Sequence, residues 1–165
     1  MRPVGVILAG GRATRMGGGD KGLLTLGDRL ILDHVIDRLR PQVAAMVLNA
    51  NGDPARFAGF ALPVVRDTLD GYPGPLAGVL AGLDWAAGQG AEAVVTVAAD
   101  TPFFPGTLVA RLTETAEGQS HPLVLAATPR GAEDTKSMRG GVIRHPTFGL
   151  WPTALRDDLR AALES

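Results

Sequence analysis

The sequence contains no cysteine, which excludes a disulfide scaffold, a thiolate zinc site and a cysteine nucleophile together. An excess of charge of one sign is also missing. Sixteen Lys and Arg stand against 17 Asp and Glu, for a formal net charge of −1. A dedicated nucleic-acid binder carries a strong basic excess, so no nucleic-acid partner is expected, although a basic cleft can hide inside a neutral total. Long apolar runs are absent: none approaches the roughly 18 residues that a membrane span needs. No pair of histidines has metal-ligand spacing. With 45% hydrophobic and 20% charged residues in 165, the composition is that of one globular domain with a sizeable core, not of a disordered or fibrous chain. The abundant residue is glycine, 22 in all, close to double the average share of about 7%.

Met1, Arg2 and Pro3 ahead of an apolar stretch imitate the start of a secretory signal. The stretch is too short, however, and runs into Gly10, Gly11 and Arg12 rather than into a small-residue cleavage site. The expected compartment is the cytoplasm. Residues 4–9 read instead as a strand buried on both faces. Apolar residues at 31, 32, 35, 36 and 39 have helical spacing, and Pro41 stops that helix. Strands are expected over 43–49, 62–65, 93–99 and 123–127, with a weaker one over 146–150. Helices are expected over 76–87, from Pro105 to about Glu117, and over 154–163. The segment 130–144 has no periodicity and reads as a mobile loop. Strand and helix in alternation imply an α/β fold: a mostly parallel sheet with helices on both faces, in three Rossmann-like layers. In such a sheet ligands bind outside the carboxyl ends of the strands, so functional residues are expected directly after strands.

The first strand delivers Leu8, Ala9, Gly10 and Gly11, followed by Arg12, Arg15 and Lys21. Glycines let the backbone approach a ligand and aim successive N–H groups at anionic oxygens, and the three cations add a phosphate-binding charge. Neither a dinucleotide fingerprint nor a Walker loop fits these positions. Asp100 follows the apolar strand 93–99, where a carboxylate facing phosphates calls for a bridging cation; its alternative role is to cap the turn before Pro102. Asn49 and Asn51 follow the second strand and Asp67 the third. By residue type alone the two asparagines are turn residues, and Arg12 fits a solvated surface position equally well. Gly78 and Gly82 lie on one side of a helix, with Gly82 read as a packing residue. The start of that helix, after Tyr72, Pro73, Gly74 and Pro75, offers free N–H groups to an anion. His34 reads as structural, His145 as the histidine near the substrate, and Trp85 and Trp151 as packing residues.

The run Leu8-Ala9-Gly10-Gly11 with Arg15, Met16, Gly17, Asp20 and Lys21 strongly resembles the opening motif of the nucleotide-sugar-type nucleotidyltransferases. Within them the chain is similar to the molybdenum cofactor guanylyltransferases. Asn49-Ala50-Asn51, Asp67 with the Pro73 to Gly78 segment, Asp100-Thr101-Pro102 and His145-Pro146-Thr147 all match that pattern. The resemblance implies a single nucleotidyltransferase domain over residues 1–165, which ends before the family's usual closing carboxyl-terminal segment. It implies Mg²⁺-dependent transfer of GMP from GTP to the phosphate of molybdopterin, with release of pyrophosphate. Molybdoenzymes or their chaperones would be the recipients of the product. Arg15, Lys21 and Asp100 would be catalytic and Asp100 the metal ligand. Leu8, Ala9, Gly10, Gly11, Lys21, Asn49, Asp67 and Asp100 would contact the nucleotide, with Asp67 accepting from the guanine edge. Two other classes fit the same residues: a transferase of this fold acting on another nucleotide or sugar phosphate, and a non-catalytic nucleotide-binding protein.

Overall fold

The computed structural model describes residues 2–10, 20–71, 74–129 and 141–165. Its centre is β1 (Val4–Leu8), a strand without a polar side chain. Such a strand is stable only where both faces are covered, and β1 lies in the middle of a six-stranded sheet. It pairs in parallel with β4 (Met46–Asn49) on one side and β6 (Ala93–Ala98) on the other. Beyond β4 lies β5 (Val64–Val65), also parallel. Beyond β6 comes β8 (Val142–Pro152), antiparallel to both β6 and the edge strand β7 (Val124–Pro129). The sheet order is β5-β4-β1-β6-β8-β7. The chain thus builds outward from β1 to β5, then crosses back over β1 to lay down β6. That reversal opens a crevice at the carboxyl ends of β1 and β6, the position where sheets of this kind bind ligands.

Alternate residues of each strand feed two separate cores. Ile7, Leu48, Val95 and Val97 pack under α1 (Ile31–Leu39) and α3 (Leu108–Ala116). Val4, Val6, Val47 and Val94 pack under α2 (Leu76–Gly88), with Trp151 and, from α4 (Arg156–Glu164), Leu159. The expected three layers are therefore present. Helix α1 buries Leu32, Val35, Ile36 and Leu39, one apolar stripe of 3.6-residue period. Each such side chain contributes about 1.5–3 kcal/mol by leaving water. Two glycines set how closely the helices approach β1. A methyl group at Gly5 would lie 2.8 Å from Leu39 Cδ2, and one at Gly82 would lie 2.6 Å from Val6 Cγ2. The packing role read for Gly82 is what the structure shows. Trp151 is buried and donates from Nε1 to Thr96 Oγ1 at 3.0 Å, again a packing role.

Three departures from the sequence expectations have local causes. The strand expected over 43–49 is regular only from Met46, because the chain leaves the 3₁₀ turn Arg40–Gln42, which contains Pro41, through a bend at 43–44 before it extends. A short hairpin of β2 (Thr25–Leu26) and β3 (Arg29–Leu30) turns at Gly27, whose φ is +71°. His34 Nε2 lies 3.2 Å from the Leu26 carbonyl, so this histidine ties the hairpin to α1. The third departure is β8. It runs over eleven residues instead of 146–150 and takes in 142–144 of the expected loop, of which 130–140 lie outside the described residues. Pairing with β7 jumps from Gly149 to His145 between Leu125 and Ala126. Pro146, which has no N–H to give, thus sits in the irregularity while the strand continues past it. Among the described residues no helix is long and apolar enough to cross a membrane.

Candidate active site

Three backbone hydrogen bonds tie the carboxyl ends of the central strands together. Ala9 N donates to the Asn49 carbonyl at 2.8 Å, Ala50 N to the Val65 carbonyl at 3.0 Å and Ala99 N to the Leu8 carbonyl at 3.1 Å. Leu8, Ala9, Gly10, Asn49, Asp67 and Asp100 therefore stand along one edge of the sheet, as expected. Gly11 and Arg15, together with Arg12, Met16, Gly17, Tyr72 and Pro73, lie outside the described residues.

On the β4–β5 side the polar groups are bonded to one another. Asn49 is 1% exposed, and its Nδ2 donates to Asp67 Oδ1 at 2.9 Å and to the Val65 carbonyl at 3.3 Å. Asn51 closes a second link: its Nδ2 donates to Asp67 Oδ2 at 2.9 Å, while Asp67 N donates to Asn51 Oδ1 at 2.9 Å. The asparagines are thus more than turn residues, since both orient the Asp67 carboxylate. Two glycines face this cluster. A methyl group at Gly10 would sit 3.0 Å from Asn49 Oδ1 and 3.8 Å from Asp67 Oδ1. One at Gly78, in the first turn of α2, would collide with Asn49 Oδ1 and lie 3.1 Å from Leu8 Cδ2. Gly10 and Gly78 therefore let the backbone of β1 and the start of α2 close on the cluster. That start follows Gly74, at φ +90°, and Pro75, and it brings the free N–H groups of α2 to the same edge.

On the β6 side the charges are open. Asp100 is exposed, and among the described residues its carboxylate has one hydrogen bond, from Thr101 Oγ1 at 3.1 Å. Lys21 is exposed as well, at the start of a short 3₁₀ turn, Lys21–Leu23. The next residue, Gly22, is buried, and a methyl group there would lie 3.0 Å from the Ala99 carbonyl. That contact sets Lys21 beside the strand end that carries Asp100. His145 lies on β8 beyond the Thr96–Gly149 pair, towards the carboxyl end of β6, with its Nε2 3.0 Å from Thr128 Oγ1. Among the described residues no group of three or more His, Asp or Glu side chains forms a ready-made metal cage.

One residue of this region has no sequence signal. Arg56, in the turn Pro54–Phe60, donates from Nε to Asp20 Oδ2 at 2.6 Å and from Nη2 to the Asn51 carbonyl at 2.5 Å. An isolated arginine in a polar loop carries no period or motif. Only the preceding Asp53-Pro54 turn start could have pointed to an ordered segment there.

The family model of the MobA-like NTP transferase domain matches residues 5–165. A molybdenum cofactor guanylyltransferase of Bradyrhizobium sp. (strain ORS 278) is 52% identical over 163 residues, covering 98% of this chain and 71% of its own. One of Cereibacter sphaeroides (strain ATCC 17023) is 52% identical over 164 residues, covering 99% of this chain and 76% of its own. Among solved structures, molybdopterin-guanine dinucleotide biosynthesis protein A of Archaeoglobus fulgidus superposes with a TM-score of 0.63 at 19% identity, covering 98% of this chain and 73% of its own. A CMP:2-keto-3-deoxy-manno-octonic acid synthetase complexed with CTP superposes with a TM-score of 0.76 at 13% identity, covering all of this chain and 80% of its own. Those two likenesses concern the fold. With the motifs at the strand ends and half the residues shared along nearly its whole length, the chain belongs to the MobA-like NTP transferase family and is a nucleotidyltransferase.

Proposed function

We propose that residues 1–165 form a nucleotidyltransferase domain that transfers GMP from GTP to the terminal phosphate of molybdopterin and releases pyrophosphate. A phosphate oxygen of the pterin attacks the α-phosphorus of GTP. The bond from that phosphorus to the bridging oxygen breaks, and its electron pair leaves with pyrophosphate. Little covalent help is needed, so positioning and charge neutralisation carry the catalysis. The observation behind the proposal is the division of one sheet edge into a hydrogen-bonded carboxylate at Asp67 and open charges at Lys21 and Asp100.

Guanine presents N1–H and its exocyclic amine side by side. Each oxygen of Asp67 accepts one asparagine N–H, and a carboxylate oxygen has a second acceptor site that can take a guanine donor. Leu8, Ala9, Gly10 and Gly11 then line the nucleotide, with Asn49 holding the carboxylate in place. Lys21 and Arg15 neutralise the triphosphate. The donor set at Asp100 suits Mg²⁺, which binds through one or two carboxylates and substrate phosphates and keeps several waters. When bound there, the ion would offset the charge that develops on the transferred phosphate.

The test is calorimetry with each of the four nucleoside triphosphates, followed by pyrophosphate release with molybdopterin. GTP is expected to bind at least tenfold more tightly than CTP, ATP or UTP, because each lost hydrogen bond to a charged group costs about 1.5–3 kcal/mol. Asp67→Asn should erase most of that preference. Equal binding of CTP and GTP would sink the guanylyl assignment.

A further inference from the structure

Asp20 directly precedes Lys21, and among the described residues its carboxylate is held by one side chain. Arg56 Nε donates to Asp20 Oδ2 at 2.6 Å, and Nη2 reaches Oδ1 at 3.4 Å. The same guanidinium also serves the loop after β4: Nη2 donates to the Asn51 carbonyl at 2.5 Å, and Nη1 donates to the Asp53 carbonyl. Its plane rests near an aromatic ring, with Cζ 4.4 Å from the centroid of Phe57, a side chain only 2% exposed. The donors of one rigid fork are thus shared between a carboxylate beside Lys21 and two carbonyls beside the Asp67 cluster. A lysine, with a compact point charge, cannot serve three acceptors spread in a plane.

We infer that Arg56 is a positioning residue that couples the base end of the nucleotide site to its phosphate end. The inference rests on the nucleotide reading of the site given above. Asn51 is the shared element: its side chain makes both links to Asp67, and its carbonyl accepts from Arg56. A base held by Asp67 is thereby referred, through Asn51 and Arg56, to Asp20 and to the point where the Lys21 side chain starts. The pairing also occupies a carboxylate that would otherwise compete with phosphate for the Lys21 ammonium. A nucleoside triphosphate gains most from this arrangement, because it must satisfy both ends at once. A ligand that fills one end gains little, as in any linked pair of binding groups whose separation is fixed in advance.

Calorimetric titration of guanosine, pyrophosphate and GTP, each in separate runs, tests the coupling in the parent chain, Arg56→Lys, Asp20→Asn and the double variant. In the single variants guanosine and pyrophosphate should each lose less than about threefold, while GTP loses about tenfold or more, the worth of one charge-assisted hydrogen bond. The double variant should be no worse than the weaker single one, since both act through one pair. In turnover the loss should appear in KM for GTP more than in kcat. Unchanged GTP affinity in Arg56→Lys overturns the coupling. So do additive losses in the double variant, which would mean that Arg56 touches the phosphates itself. A uniform loss for all three ligands that follows a lowered Tm of the ligand-free chain overturns it too, by reducing Arg56 to a structural brace. A parent chain that fails to bind GTP overturns the nucleotide reading itself, and the coupling with it.

Discussion

At the end of β4 the side chains of Asn49, Asn51 and Asp67 are bonded to one another, and Asn49 is out of reach of water. At the end of β6, two strands away, Asp100 is exposed with one hydroxyl bonded to it among the described residues, and Lys21 is exposed too. On the nucleotide reading proposed above, the two ends face different chemistry. A base is recognised by hydrogen-bond geometry, which rewards acceptors already fixed in place and punishes any left unpaired. A triphosphate with its cation is recognised by charge. Groups that serve it have to stay free of strong protein partners, or the ligand must first break those contacts. On that reading, order at one end and openness at the other are one design applied to the two parts of a nucleotide.

The sharpest way to break the comparison is Asp100→Asn. If the open carboxylate is there for the ligand, the change should lower pyrophosphate release by on the order of 10²–10³ or more, the usual effect of losing one electrostatic group at a reacting centre. Stability should move by less than about 0.5 kcal/mol, as for other exposed positions away from the core. Steady-state rates at saturating Mg²⁺ and a thermal melt measure both. A variant as active as the parent, or one that melts far below it, would make Asp100 a turn residue.

Next in size is Gly78→Ala. The added methyl group would collide with Asn49 Oδ1, which has no room to retreat in a cluster with two other bonds. Overpacking of this kind costs about 1–3 kcal/mol, and GTP binding should weaken alongside stability because Asn49 carries Asp67. Gly88, at the other end of the same helix, is the control, since a methyl group there meets nothing within 4 Å. Gly88→Ala should be neutral or stabilise by up to about 1 kcal/mol through helix propensity. Equal melting temperatures for the two variants would show that the cluster is softer than its hydrogen bonds suggest.

The same contrast explains what could be read from the chain beforehand. The buried strands 4–8 and 93–98 announce themselves because both faces must be apolar, and the place of the candidate site residues after them follows from topology. Leu8, Ala9, Gly10, Asn49, Asp67 and Asp100 therefore come to one edge as the pattern implies. The eleven-residue β8 was less legible because Pro146 and Gly149 interrupt its strand pattern, and only the irregular pairing with β7 accommodates them. The β2–β3 hairpin is two residues on each side, too short for any period. The web among Asn49, Asn51, Asp67 and Arg56 was hidden for a different reason. Its members are up to 18 residues apart, and nothing local shows which acceptor a side chain will find.

The smallest expected effects give the finest test, because they compare single polar groups at the two ends. Thr101→Val removes the hydroxyl that donates to Asp100. An exposed bond at the open end should cost no more than about 0.5 kcal/mol, and turnover should stay near that of the parent, since the carboxylate keeps its charge and its access. Asn51→Ala removes both links to Asp67. It should cost about 1–2 kcal/mol, two net hydrogen bonds of ordinary strength with some loss to solvent. It should also loosen the preference for GTP over ATP while leaving pyrophosphate binding in place. Denaturant melts on the two variants, paired with competition binding of GTP against ATP, read all of these quantities. Were Thr101→Val the more damaging of the two, Asp100 would be the anchored carboxylate and Asp67 the free one. The assignment of base and phosphate to the two ends would then have to be exchanged.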